Sequence, residues 1–325
     1  MSKLRHFVLM LAIPAAAVAA DQGLLRLVMP DAKVIAGIQV AQTRNSLFGQ
    51  FVLSHMQLDG ESFQKFIADT GFDPRRDVTE ILIASNWNTS TPESRWLVLA
   101  KGVFDTRRIE HVAEENGVPI TNFQGIDIYT YSGTAKPAVE NALAFFDSHA
   151  AVMGDLASVK AAIERDKNGA AAGSQLLGKV RNVSAKSDFW FVTLVPLSEF
   201  AGLMPDPALS GAMQGNMLSA VNQTSGGIRF GDTVTITAEA VTRSDKDAQA
   251  LVDVVKFVAS LLQMNRQNNA AAGQVASWLD TLDCKTAGNV MSMSVAVPER
   301  QLEQMLESVQ ASGRPAPKKT PAHVN

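Results

Sequence analysis

Apolar and polar positions along this chain recur with two periods, and the places where the period changes mark out its elements. "KVIAGIQV" (33–40) is rich in branched residues and predicts a strand. Helical spacing follows in "NSLFGQFVLSHM" (45–56), where Leu47, Phe48, Phe51, Val52 and Met56 share one face. "ESFQKFIADT" (61–70) predicts a second helix, closed by Gly71. "TEILIAS" (79–85) and "RWLVLAKGVF" (95–104) predict strands joined by a polar turn. Asp105 is placed to cap a helix through Ile109, Val112 and Ala113, ending at Asn116-Gly117. Three more strands are predicted at "GIDIYTY" (125–131), "ALAFFD" (142–147) and "AAVMGD" (150–155), before Asp155 caps "LASVKAAIER".

A similar order follows. "FWFVTLVP" (189–196) predicts a strand and "LSEFAGLM" (197–204) a short helix. "GGIRFGD" and "TVTITAEAVTR" predict a hairpin bent at Gly231-Asp232. In its second strand Val234, Ile236, Ala238 and Ala240 face one way, and Thr233, Thr235, Thr237 and Glu239 the other. Ser244 with Asp247 resembles a capping box for the helix that aligns Ala248, Leu251, Val255, Val258 and Leu262. "WLDTLDCKTA" and "NVMSMSVAV" read as closing strands, and Pro298 starts a last helix, "ERQLEQMLES". The expected class is therefore α+β, with two similar halves from an internal duplication, each an antiparallel sheet covered by helices on one face. The alternative is one α+β domain of mixed order. The halves are expected over 21–170 and 171–311, divided near the small-residue stretch "DKNGAAAGSQ" (166–175). The tail 312–325, with three prolines and no periodicity, is expected to be disordered.

The first twenty residues change the picture. Lys3 and Arg5 precede an apolar run from Phe7 to Ala17, and Val18-Ala19-Ala20 offers small residues for cleavage before Asp21. This predicts a signal peptide over 1–20; the alternative is a retained anchor. No cysteine lies near the cleavage point, which argues against a lipoprotein, and no later segment offers ~18 uninterrupted apolar residues. The expected location is periplasmic or extracellular, without a stable membrane span after cleavage. Removing Lys3 and Arg5 takes the net charge from −3 to −5, which speaks against a nucleic-acid partner. The single Cys284 has no internal disulfide partner and reads as a small buried hydrophobe.

Candidate chemistry is sparse. "GFDPRRDVTEILIAS" (71–85) gathers Asp73, Arg75, Arg76, Asp77 and Glu80, yet every residue suits a turn between helix and strand. Two arginines alone hold an anion weakly in salt, and Asp73 and Asp77 compete with it. His55, His111 and His149 have no metal-ligand spacing, and no nucleophile elbow, Walker loop or dinucleotide fingerprint is present. No catalytic, cofactor-binding or metal-binding residue is assigned, and no cofactor is expected. Surface or partner contacts are expected at Arg75 and Arg76, at Trp87 in a polar loop, and at Met213 and Met217 in the glycine- and methionine-rich insert "PDPALSGAMQGNM".

The run from "LLRLVMPDAKVIAGIQV" through "GFDPRRDVTEILIAS", "RWLVLAKGVFD" and "AVMGDLASVKAAIER" resembles uncharacterised exported bacterial proteins with no assigned activity, mainly over residues 24–165. The resemblance implies a bacterial envelope origin and the same element order, and it carries no catalytic residue. The expected function is that of an exported, soluble, non-enzymatic protein that acts by binding or assembly in the envelope, its partner or ligand unspecified. The alternatives are a hydrolase of cell-wall or extracellular polymer and a carrier of lipid or another amphiphile. A hydrolase requires acids, histidines or hydroxyls from distant segments to converge in a hollow.

Overall fold

A computed structural model describes residues 19–47, 49–50, 61–87, 95–132, 140–169, 175–199, 218–264 and 270–304. Segments 1–18, 45–56 in large part, 206–215 and 312–325, with Met213 and Met217, lie outside the described residues or mostly so. The strands are β1 (Val34–Ile38), β2 (Val78–Ser85), β3 (Trp96–Gly102), β4 (Ile120–Phe123), β5 (Ile126–Ser132) and β6 (Glu140–Phe145). They continue as β7 (Ala150–Asp155), β8 (Phe189–Thr193), β9 (Val221–Arg229), β10 (Thr233–Thr242), β11 (Asp283–Ala287) and β12 (Val290–Pro298). Helices are α1 (Gln22–Leu27), α2 (Val40–Thr43), α3 (Glu61–Thr70), α4 (Pro74–Asp77) and α5 (Thr106–Glu115). After them come α6 (Leu156–Lys167), α7 (Leu177–Ser184), α8 (Asp245–Met264) and α9 (Ala270–Leu279).

The class is α+β, but the strands make one sheet, not two. Its order is β11-β12-β10-β9-β8-β1-β2-β3-β7-β6-β5-β4, with antiparallel neighbours throughout. The seam is the ladder between β1 and β8, where Ala36 pairs with Phe191 and Gly37 with Trp190. Both strands are apolar on both faces, so each can sit in the interior of a sheet and accept a neighbour on either side. Trp190 is fully buried, and it fits because Gly37 is opposite: a Cβ there would lie 2.4 Å from Trp190 Cζ2.

The register separates two faces. On one face stand Ile35 and Gly37 of β1, Leu82 and Ala84 of β2, Leu97 and Leu99 of β3, Val152 of β7 and Ala144 of β6. Leu24, Leu25 and Leu27 of α1, Val159 and Ile163 of α6 and Val180 of α7 pack there in the main core. On the opposite face of this part, α5 presses Ile109 against Phe104 and Ala151, beside Phe72 and Phe145. That same opposite face carries the second core farther along the sheet: Ala240 and Met291 meet Ala248, Leu251 and Val252 of α8. The alternation predicted for β10 therefore holds, with its alanine, valine and isoleucine side turned to helices.

Local signals explain the ends of these elements. Asp105 accepts from the Arg108 N–H at 3.2 Å, Asp155 from Ser158 at 2.8 Å, and Ser244 Oγ from Asp247 at 3.2 Å. Two readings need correction. Residues 278–279 were expected in a strand but finish α9, because the alanine-rich run 270–276 continues as helix and the strand begins only at Asp283. Residues 177–184, expected near the start of a half without an element of their own, form α7. Leu176, Val180 and Ser184 recur at four-residue spacing and are all buried.

Candidate binding site

Beyond the seam, no helix among the described residues covers the face that carries the main core in this way. β9, β10, β12 and β11 present Ser225, Gly227 and Arg229, then Glu239, Thr237 and Thr235, then Ser292 and Ser294, then Lys285 and Asp283. Positions held by Leu82, Leu99 and Val152 in the covered part are thus held here by hydroxyls and charges. Helix α7 and the turn that follows it run alongside, adding Lys179, Asn182, Lys186 and Ser187. Together they enclose an open trough of about 360 Å³, at the small end of the range of ~300–1,000 Å³ usual for ligand pockets.

Pleating and one glycine shape this hollow. Glu239 pairs across the ladder with Ser225 on one side and Ser292 on the other, and Thr237 with Gly227 and Ser294. A Cβ at Gly227 would lie 2.1 Å from Ser187 Oγ, so the missing side chain lets α7's end approach the strand. Four cations line the trough, against two acids. Lys179 is ion-paired with Glu239, and Lys285 lies 3.3 Å from Asp283. Among the described residues, the side chains of Lys186 and Arg229 have no hydrogen bond or ion pair. The local excess of positive charge therefore falls on these two. The paired charges offset one another, while free cations and hydroxyls are the groups able to take an anionic, hydrogen-bonding ligand.

The sequence did not foresee this convergence of acids and hydroxyls from distant segments, which is the arrangement the hydrolase alternative requires; both acids here are held in ion pairs with lysines. The signal was present in part. Alternate Thr235, Thr237 and Glu239 and alternate Ser292 and Ser294 mark strands with a polar face, but only register brings them side by side.

The residues singled out in the sequence lie elsewhere. Arg75 grips Asp73 through both Nε and Nη2 at 3.0 Å and lies 6.0 Å from the Phe63 ring centroid. Arg76 holds both oxygens of Asp77 at 2.7 Å and also donates to the Gly71 carbonyl at 2.8 Å. Hydrogen bonds from Arg75 and Arg76 hold the Asp73 and Asp77 carboxyls, respectively, below the usual carboxylate range. Gly71 has φ 72°, and Asp73 caps the single turn Pro74–Asp77. Trp87 has φ 45° and donates Nε1–H to Glu199 at 3.1 Å. His111 lies 3.5 Å from Glu115, and His149 Nδ1 is 3.0 Å from Ser148 Oγ. Burial pushes the Cys284 thiol up, which keeps it protonated beside the second core. No group of three or more histidine, cysteine, aspartate or glutamate side chains among the described residues could hold a metal ion.

A second exposed feature is apolar. Near the end of α8, Phe257, Leu261, Leu262 and Met264 are 59%, 42%, 38% and 80% exposed. No helix of the described residues is long and apolar enough to cross a membrane.

No family model matches the chain, and no curated protein matches it. Among solved structures it is similar to one described as "Structure of crystal form I of TP0453", at 11% identity over 90% of this chain and 99% of that one. The TM-score is 0.48, too low to carry fold or function across.

Proposed function

We propose that this chain is an exported bacterial envelope protein that acts by binding, and that the trough beside α7 takes a small anionic, hydroxyl-bearing ligand. The observation that carries the reading is the pair of uncommitted cations, Lys186 and Arg229, facing a ladder of serine and threonine hydroxyls. Such groups contribute affinity through charge-assisted hydrogen bonds of about 1.5–3 kcal/mol each. The proposal includes a duplication. From the seam outward, one half runs first, second and third strand and then last and next-to-last (β1-β2-β3-β7-β6), and the other does likewise (β8-β9-β10-β12-β11), which supports it.

The test is a titration of residues 21–325 with a uronic-acid disaccharide at low and moderate salt. Lys186→Ala and Arg229→Ala are each expected to weaken binding about tenfold or more, and added salt to weaken it in wild type. Binding that ignores both substitutions would overturn the assignment. A second reading, an amphiphile carrier or an apolar partner site, is favoured by the exposed end of α8. It predicts instead that a fluorescent fatty acid binds and that Phe257→Ser with Leu261→Ser abolishes this.

A further inference from the structure

The junction between Ala20 and Asp21 has an arrangement that a turn or helix cap does not require. The Asp21 N–H points at both oxygens of Glu80, at 3.1 and 3.3 Å. Glu80 stands on β2 on the main-core face and is 4% exposed. Among the described residues no lysine or arginine nitrogen lies within ion-pair distance of its carboxylate. Beside it is Gln39, also buried, whose side-chain amide favours the charged form of Glu80 although its Nε2 makes no hydrogen bond of good geometry. A buried carboxylate answered mainly by neutral N–H groups is poorly compensated, and burial raises its pKa above the ordinary value. One residue earlier the setting differs. Ala20 is 2% exposed and its N–H donates to Ser184 Oγ of α7 at 3.1 Å, a neutral partner.

We infer that a leader ending at Ala20 is cut off before Asp21, and that the α-ammonium so freed is held by Glu80 as a buried ion pair. The inference rests on the export reading. In the cut, one water is consumed as a leader-removing peptidase hydrolyses the Ala20–Asp21 amide. The C–N bond breaks, Ala20 leaves as a carboxylate, and the Asp21 nitrogen ends as –NH3+. Three donors then replace one, and a positive charge comes into direct contact with an acid that Lys101, its partner across the ladder, reaches only from beyond ion-pair distance. A cut one residue earlier, after Ala19, would instead bury an ammonium against a hydroxyl alone. Because Ala20 is enclosed in the fold, cleavage has to precede the docking of α1. The other charges facing the new terminus are Asp21's own carboxylate and Lys101 of β3, already paired with each other.

Two experiments test this. The first expresses the chain from Met1 in a secreting bacterium and reads the product's N-terminus by mass spectrometry. A start at Asp21 is expected. A secreted product with another start overturns the inference and leaves export standing, whereas a chain that keeps residues 1–20 overturns both. The second needs no export: chains released from a fusion begin either at Asp21 or at Ala19. Glu80→Gln should raise the unfolding constant at least about tenfold in the Asp21 chain, since breaking a buried pair is costly. In the Ala19 chain it should be neutral or stabilising. Equal losses in both would reduce Glu80 to an acceptor of a backbone N–H and overturn the pairing. NMR titration of the Asp21 amine covers a variant that does not fold. Its folded pKa should lie above the ordinary range of about 7.7–8.0, so the added stability is full below that range and is lost as pH rises through the folded value. An amine titrating at its ordinary value contradicts the pairing.

Discussion

Trp190 and Gly37 show how single residues set the seam of the sheet. Trp190 is wholly enclosed, its indole Nε1 has no hydrogen-bond partner among the described residues, and its ring occupies the space a Cβ on Gly37 would need. Gly37→Ala should therefore destabilise the protein by about 1–3 kcal/mol, the usual cost of overpacking, read as a lower midpoint in urea at unchanged slope. An unaltered midpoint would show that the β1–β8 contact can spread without penalty. At this scale much was legible. Asp105, Asp155, the Ser244–Asp247 pair and left-handed Gly71 all announce themselves by residue type and position. What was not legible is partnership. "GIQV" contains no sign that Gly37 faces a tryptophan 153 positions away, and nothing in "DVTEILIAS" says that Glu80 meets Asp21.

At the scale of elements, the same sheet face changes character along its length. Leu99 is fully buried under α1 and α6, whereas Ser294 stands on the uncovered part beside Thr237 and Asp283. Leu99→Ala should cost about 2–5 kcal/mol, while Ser294→Ala should stay within about 0.5 kcal/mol; denaturant unfolding of both variants checks the contrast. Similar losses at the two sites would mean that the trough is part of a core. Alternation in β10 and β12 predicted a polar side, because a two-residue period with threonine and serine on one side has few other readings. It did not reveal that no helix among the described residues covers that side. Helix α7 went unread because it lies next to a small-residue stretch taken as a linker, although Leu176, Val180 and Ser184 carry its period.

In the whole molecule, one antiparallel sheet stands where two were expected. Periodicity locates strands but not their neighbours, and the β1–β8 ladder joins segments about 150 residues apart, as Gly37 with Trp190 shows. The site follows from this joining: α7 packs on β8 and β9, and its end faces the hydroxyl ladder that the register assembles. Amide chemical-shift mapping during titration with the uronic-acid disaccharide addresses this claim directly. The account predicts shifts confined to β9–β12 and the end of α7, absent in Lys186→Ala with Arg229→Ala. Shifts centred on Phe257 and Leu261 of α8, or none at saturating disaccharide, would contradict it.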